Sequence, residues 1–442
     1  AITGPLDDPQ TLDYARNDPV GFAAQAGDGV LIIDEFQRLP SLSLAIKANV
    51  DADRRPGRFI LTGSSDFARV RGDKDSLAGR ALSVTVCPLT QAEVRDTTAS
   101  GTLVDRLLGA TGVHDLPASA EPLTHTGLAH LLTAGGFPAV HNAKPRLRAE
   151  WYRNYIERLV RVDALADGSR LAPERLLTVL RLLAAHQSGE LVKARLAQEA
   201  GLAASSVTSY LDVLARLFLI LRVRPWETNL TKREIGRAKL SVLDSGLAAW
   251  LCDASPTALT TIPHGVQQLG ALTEGFVAGE LHAQQQWSRS RYRIHHYRDR
   301  NQKEVDFILE VDDSRLIAIE VKASRTVTGS HLAGLRFLKD KLGPRLTRGV
   351  VLAPIDRPAQ SAHAGKWPMR LASRSSCWAL ASAQALGAAP ACWRKVLPKW
   401  LALANPTAQA TSATGRPAAS RARAVCMRQC VRRACTLWPY RC

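Results

Sequence analysis

Two groups of residues in this 442-residue chain have the types and spacing for metal-assisted chemistry. The first is Asp34-Glu35, two carboxylates that directly follow the apolar run Val30-Leu31-Ile32-Ile33. Four apolar residues, three of them β-branched, read as a buried parallel strand. The C-terminal edge of such a strand is where ligands bind in an open α/β sheet. There an Asp can hold Mg²⁺, directly or through water, and the following Glu can orient or deprotonate an attacking water, as nucleoside triphosphate hydrolysis requires. The competing reading is a core strand capped by two solvated acids. The second group is Asp306, Glu320 and Lys322. Strand alternation puts Glu320 and Lys322 on one face, and Asp306 on an adjacent hairpin strand can reach it. Asp306 and Glu320 can hold Mg²⁺ through oxygen ligands while Lys322 steadies a phosphate or activates water. Glu274, on a preceding helix, can add a third carboxylate. The competing reading is a solvated strand face carrying a Glu–Lys pair.

Further residues belong with the first group if the chain brings them near. Arg58-Phe59-Ile60-Leu61-Thr62-Gly63-Ser64-Ser65 reads as a second buried strand ending in hydroxyls. If this strand neighbours the first, Thr62 and Ser64 can contact a γ-phosphate or its water; otherwise the ending is an ordinary turn. Arg80, closing Ser76-Leu77-Ala78-Gly79-Arg80, can stabilise charge on a phosphate as an arginine finger does, or be a surface residue.

The elements that must position these groups follow from apolar periodicity. Thr11 to Ala15 starts a helix that Pro19 limits, and Ser41 to Val50 is a helix between the two strands. Asp75 to Arg80 reads as a short helix and Ala81 to Val86 as a third strand, giving a parallel α/β sheet. Residues 96–170 are mostly helical, with a break at Gly135-Gly136-Phe137-Pro138. Residues 171–262 read as a winged helix with helices over Pro173–Ala185, Leu191–Ala200 and Ser205–Leu217, wing strands over Phe218–Val223 and Lys239–Leu243, and a basic tip carrying Lys232, Arg233 and Arg237. A helix-turn-helix reads DNA with the start of its last helix. Here those residues are Ser205, Ser206 and Ser209, without Arg or Lys, so packing or protein contact competes with DNA readout. Residues 263–356 alternate helix and strand again, with strands over Arg291–Tyr297, Glu304–Glu310, Leu316–Lys322 and Gly349–Leu352.

The net charge of +18 is mostly a property of the tail. Residues 357–442 hold 14 Lys/Arg and no Asp or Glu, which leaves 44 Lys/Arg against 40 Asp/Glu before them. Six of the eight cysteines lie there too, while Cys87 and Cys252 stand alone in the body, as in a reduced, cytoplasmic protein. Cys426, Cys430 and Cys435 lack the paired spacing of zinc sites. The tail is expected to be disordered, as an out-of-frame read or as a basic arm. Apolar runs in the body are too short or too interrupted by charge to span a bilayer.

In this order, Leu31 to Pro40, Arg58 to Ser65, Ser76 to Arg80, Gly135 to Pro138, Lys239-Leu240 and Asp244 to Leu247 resemble bacterial and archaeal AAA-type ATPases with a C-terminal domain of unknown function. The resemblance implies that Asp34 and Glu35 are a Walker B pair, that Thr62 to Ser64 form a sensor, and that Arg80 is a candidate arginine finger. ATP and Mg²⁺ are the implied cofactors. The family's phosphate loop, G-x-x-x-x-G-K-[ST], is absent from the sequence. Because Ala1 is not Met, the chain reads as a fragment whose loop lies upstream. The pattern Asp306…Glu320-x-Lys322 resembles the nuclease fold of restriction enzymes and Holliday-junction resolvases.

The expected fold is α/β. A partial AAA-type parallel sheet (1–95) is followed by a helical lid (96–170), a winged helix (171–262), a nuclease-like α/β domain (263–356) and a basic tail (357–442). The expected function is ATP hydrolysis, by a fragment that binds ATP poorly on its own, coupled to a nuclease-like domain. Two alternatives are a non-enzymatic module that binds DNA or another protein, and a Mg²⁺-dependent nuclease regulated by ATP.

Overall fold

A computed structural model describes residues 2–64, 77, 79–111, 115–116, 123–163, 171–227, 231, 236–312, 315–354, 359–360 and 369–372. The chain opens with β1 (Ile2–Pro5), α1 (Pro9–Asn17) and α2 (Pro19–Ala24). Each helix starts where an Asp precedes Pro. Asp8 accepts from the Thr11 N–H and Asp18 from the Gly21 N–H, and each proline fills the first turn, where an N–H has no helical partner. Pro19 thus begins a second helix as well as limiting the first.

The strands β2 (Leu31–Asp34) and β3 (Phe59–Leu61) flank α3 (Leu42–Ala52). The sheet order is β1-β2-β3, all parallel, with Pro5 opposite Asp34 and Ile33 opposite Leu61. Leu31, Ile33, Phe22, Leu42 and Ile46 close a core of their own beneath it. Ala81 to Val86, expected as a further strand, forms none: Leu82, Val84 and Val86 are exposed, and no described strand pairs with them. Alternation marks what a strand could be, but a ladder needs a neighbour. The helix expected over Asp75–Arg80 lies mostly outside the described residues, as do Ser65, Lys232 and Arg233.

The helical region holds α4 (Gln91–Val94), α5 (Leu103–Gly109), α6 (His125–Ala134) and α7 (Pro145–Arg158), whose end passes into a π-helical turn, Leu159–Asp163. Next come α8 (Pro173–Ala185), β4 (Gly189–Glu190), α9 (Lys193–Ala200), α10 (Ala204–Arg216), β5 (Ile220–Pro225) and β6 (Lys239–Val242). Then follow α11 (Ser245–Leu251), α12 (Pro256–Thr260) and the long α13 (His264–Gln284). Of the serines at the start of α10, Ser205 and Ser209 are exposed and Ser206 is half-buried.

The last region contains β7 (Tyr292–Arg298), β8 (Glu304–Val311), β9 (Leu316–Val321), α14 (Ala333–Leu342) and β10 (Leu346–Leu352). The stretch expected to lack order also contributes two short strands, β11 (Ala359–Gln360) and β12 (Met369–Ala372). β7, β8 and β9 form an antiparallel meander, and β10 returns parallel to β9 through α14. Apolar residues cover both faces: Phe307, Ile317, Ile319 and Val350 join the large core with the helical region, while Ile308, Ala318, Leu335 and Val351 form a second core. Burial on both sides explains the apolar runs 316–319 in β9 and 350–352 in β10.

One pairing joins regions that the sequence reads as separate modules. β5 runs parallel to β7, with Arg224 opposite His295, so β4, β5 and β6 belong to the same nine-stranded sheet as β7 to β12. The order is β11-β12-β10-β9-β8-β7-β5-β6-β4.

Candidate functional site

The register of the N-terminal sheet brings the ends of β2 and β3 side by side. The Thr62 N–H donates to the Ile33 carbonyl at 2.9 Å, and the Phe36 N–H donates to the Thr62 carbonyl at 2.9 Å. Thr62 therefore stands beside Asp34, and its hydroxyl donates to Asp34 Oδ1. Glu35 turns out of the strand with φ of 56°, a left-handed conformation that a non-glycine residue adopts only under constraint. The Gln37 amide donates to Glu35 Oε2 and, at 3.0 Å, to Ser64 Oγ. Burial raises the Glu35 carboxyl above its ordinary value, with Asp7 and Asp34 adding to the rise; the bond from Gln37 and the nearby Arg38 oppose it. A raised carboxyl suits a group that must accept a proton near neutral pH.

Four of the five residues named for this site thus gather at one edge: Asp34, Glu35, Thr62 and Ser64. Arg80 does not join them. Its guanidinium makes a two-point pair with Asp51, at 2.8 and 3.0 Å. Asp51 sits in the last turn of α3, which runs from the C-terminal end of β2 back toward the start of β3. Arg58 fixes that end by donating to the Asn49 and Asp53 carbonyls. Arg80 is therefore held at the opposite end of the sheet from Asp34. Gln37, which links Glu35 to Ser64, was not singled out from sequence, because a lone Gln after an acidic pair carries no signal of its own.

The second group assembles from four elements. The register pairing Phe307 with Ile319 sets Asp306 opposite Glu320, and Asp306 Oδ2 accepts from the Val321 N–H at 2.7 Å. Lys322 lies 2.6 Å from Glu320 Oε1 and 4.0 Å from Asp306 Oδ2. From β6, Lys239 reaches Glu304 at 2.6 Å, Glu274 at 2.8 Å and Asp306 at 3.9 Å. All four residues named for this site meet there, and Lys239 and Glu304 join them. The signal for Glu304 was its position two residues before Asp306, on the same face of the strand. Lys239, named from sequence only as part of a family motif and not for this site, arrives through the β5–β7 pairing.

Burial dominates the electrostatics of this cluster. It raises the Glu274, Asp306 and Glu320 carboxyls, and their mutual repulsion adds to the rise at Glu274 and Glu320. Burial would lower the Lys239 ammonium, but Glu274, Asp306 and Glu304 outweigh it and hold the charge. Lys322 is raised in the same way by Asp306 and Glu320. Burial also favours the neutral form of Glu304, yet its contact with Lys239 leaves that carboxyl below the ordinary value. Glu320 Oε2 is buried and accepts no hydrogen bond. A buried carboxylate oxygen without a donor, beside Asp306, fits a cation that takes oxygen ligands. Among the described residues no three His, Cys, Asp or Glu side chains converge as a metal site. At the other site, Asp34 lies beside Thr62 at the strand edge, and the sequence holds no phosphate-loop pattern to cradle β- and γ-phosphates.

A buried polar joint lies apart from both groups of residues. Asp244, at the start of α11, accepts from the Leu247 N–H at 2.7 Å, the Gly136 N–H at 2.6 Å and the Tyr152 hydroxyl at 3.1 Å. A cavity of about 30 Å³, room for one water, lies between it and Glu280. Glu280 accepts from the Gln91 N–H at 2.7 Å, and Gln284 from the Leu103 N–H at 2.9 Å.

The chain is similar to known families in three stretches. Residues 2–95 match an AAA domain, residues 125–258 a domain of unknown function (DUF8612), and residues 269–372 a second domain of unknown function (DUF4143). An uncharacterised protein of Mycobacterium tuberculosis and one of Mycobacterium bovis are each 28% identical over 324 residues, 73% of this chain and 65% of the relative. The chain thus spans just under two thirds of the length of these relatives. No solved structure matches. The AAA-domain match supports an ATPase-like module, and together with the C-terminal match it supports an AAA-type ATPase family. No described helix is long and apolar enough to cross a membrane.

Proposed function

We propose that the chain carries the water-activating half of an ATP-hydrolysing site, mechanically joined to a nuclease-like site of the Asp…Glu-x-Lys kind. The observation that carries the first part is the alignment of Thr62 with Asp34 and of Gln37 with Glu35 and Ser64 at one sheet edge. With ATP and Mg²⁺ bound, the metal neutralises phosphate charge. Asp34 would hold it, and Thr62 fixes the orientation of that carboxylate. Glu35 takes a proton from water while Gln37 aims it. Arg80, at the far end of the sheet, would act as an arginine finger only at the site of another copy.

The meander β7-β8-β9, flanked by α13 and α14 and completed by β10, supports the nuclease-like reading. There Asp306 and Glu320 would hold Mg²⁺, and Lys322 would steady a phosphate or the attacking water. Coupling has a material route. The segment leaving the N-terminal sheet is bonded to α13 at Glu280 and Gln284, and the same helix carries Glu274 into the acidic cluster. DNA is the proposed substrate and ATP the proposed driver.

The test uses the full-length protein. Asp34→Ala and Glu35→Gln should abolish ATP hydrolysis, with Glu35→Gln still binding nucleotide. Asp306→Ala and Lys322→Ala should abolish Mg²⁺-dependent DNA cleavage. Hydrolysis that survives the first pair sinks the ATPase assignment. Cleavage that survives the second pair sinks the nuclease assignment and leaves a non-catalytic binding module.

A further inference from the structure

The side chain of Lys239 is only 5% exposed and stands among three carboxylates. Its origin is the unusual feature. It belongs to β6, a strand from the region before α13, whereas Glu304, Asp306 and Glu320 belong to the meander after it. The backbone of Lys239 is paired on both sides, with Glu190 of β4 and Val223 of β5. A residue fixed in this way places its ammonium group by the position of the whole β4–β5–β6 unit. Four carboxylates and two ammonium groups leave the cluster with two formal negative charges in excess, and Arg298, 4.0 Å from Glu304, is shared with Glu190 at 3.8 Å. One divalent cation would supply that difference. An ammonium 3.9 Å from Asp306 Oδ1 opposes such a cation directly.

We propose that Lys239 is an internal counter-ion that competes with the divalent cation: it holds Glu274, Glu304 and Asp306 in a closed, low-affinity arrangement that opens when β6 shifts. The inference rests on reading Asp306 and Glu320 as a cation site. It makes Lys239 a positioning residue whose removal strengthens metal binding, whereas a purely structural lysine would weaken binding when lost. The strand that carries it leads directly into Asp244, which is bonded to Gly136, so movement in the helical region reaches the lysine through two covalently adjacent elements.

Mn²⁺ binding, followed by calorimetry and by the electron paramagnetic resonance of the free ion, reads the effect without any need for cleavage. Lys239→Met should bind Mn²⁺ at least about tenfold more tightly than the wild-type chain, since a full positive charge a few ångströms from the ligands is gone. Lys239→Arg keeps the charge and should stay within about twofold of wild type. If Lys239→Met fails to fold, Glu274→Gln and the double variant Lys239→Met/Glu274→Gln are compared, because the double change preserves net charge. The double variant should then bind more tightly than Glu274→Gln alone. Equal or weaker binding by Lys239→Met, or by the double variant relative to Glu274→Gln, with wild-type binding intact, overturns the counter-ion role and leaves the cation site standing. Absence of Mn²⁺ binding in wild type and variants alike overturns both.

Discussion

Asp244 Oδ2 accepts the backbone N–H of Gly136 at 2.6 Å across 108 residues of sequence. This bond explains why Gly135-Gly136-Phe137-Pro138 and Asp244-Ser245-Gly246-Leu247 go together. The carboxylate caps α11 and at the same time holds the loop that follows α6. Three donors meet it, so each is left unsatisfied if it goes.

Asp244→Ala should therefore destabilise the protein by about 3 kcal/mol, since buried donors stripped of their acceptor cost about 1–3 kcal/mol each, partly relieved by water from the adjoining cavity. Chemical denaturation followed by tryptophan fluorescence checks this, because Trp151 and Trp250 lie in the aromatic cluster around Tyr152. A loss below about 1 kcal/mol contradicts the capping role.

Glycine substitutions separate backbone need from spare room. Gly135 has φ of +66°, and a Cβ there would lie 2.6 Å from Asp244 Oδ1 and 2.8 Å from the Tyr152 hydroxyl. Gly135→Ala should cost about 2–4 kcal/mol through strain and displacement of the joint. Gly270, inside α13, has nothing within 4 Å of an added Cβ, so Gly270→Ala should stabilise by up to about 1 kcal/mol. Thermal melts of both variants should move in opposite directions.

Burial pushes the Glu280 carboxyl up to about 8, against the bonds from Gln91 and Gln284 that favour its charged form. A raised carboxyl binds its proton more firmly in the folded than in the unfolded chain. Its contribution to stability is full below the unfolded value, near 4.5, and is lost as pH rises toward 8. The melting temperature should fall between pH 5 and 8, and Glu280→Gln should flatten that fall. An unchanged slope in the variant would show that Glu280 titrates elsewhere.

Removing the Thr62 hydroxyl tests the proposed nucleotide site without touching a carboxylate. Thr62→Val keeps the shape of a β-branched strand residue and deletes the donor to Asp34. In the full-length protein it should lower ATP turnover about tenfold or more while leaving the melting temperature within a degree or two. Full turnover would mean that Asp34 needs no orientation from β3.

Some of this was legible in the residues alone. Leu31 to Asp34, Glu304 to Val311 and Leu316 to Val321 announce themselves because apolar content and period-two alternation are local properties. The same local rule places Glu320 with Lys322 and leads to Asp306 across the hairpin. Even so, alternation misread Ala81 to Val86, where no described strand stands alongside to complete a ladder. Arg80 sits at the far end of its sheet because Asp51, 29 residues earlier, captures it there. The entry of Lys239 into the acidic cluster depends on β5 pairing with β7, a contact between strands more than 60 residues apart. Sequence by itself determined which residues can carry charge and form strands. Only the tertiary structure decided which charges meet, since ion pairs and strand neighbours are set by chain packing over distances that no local periodicity records.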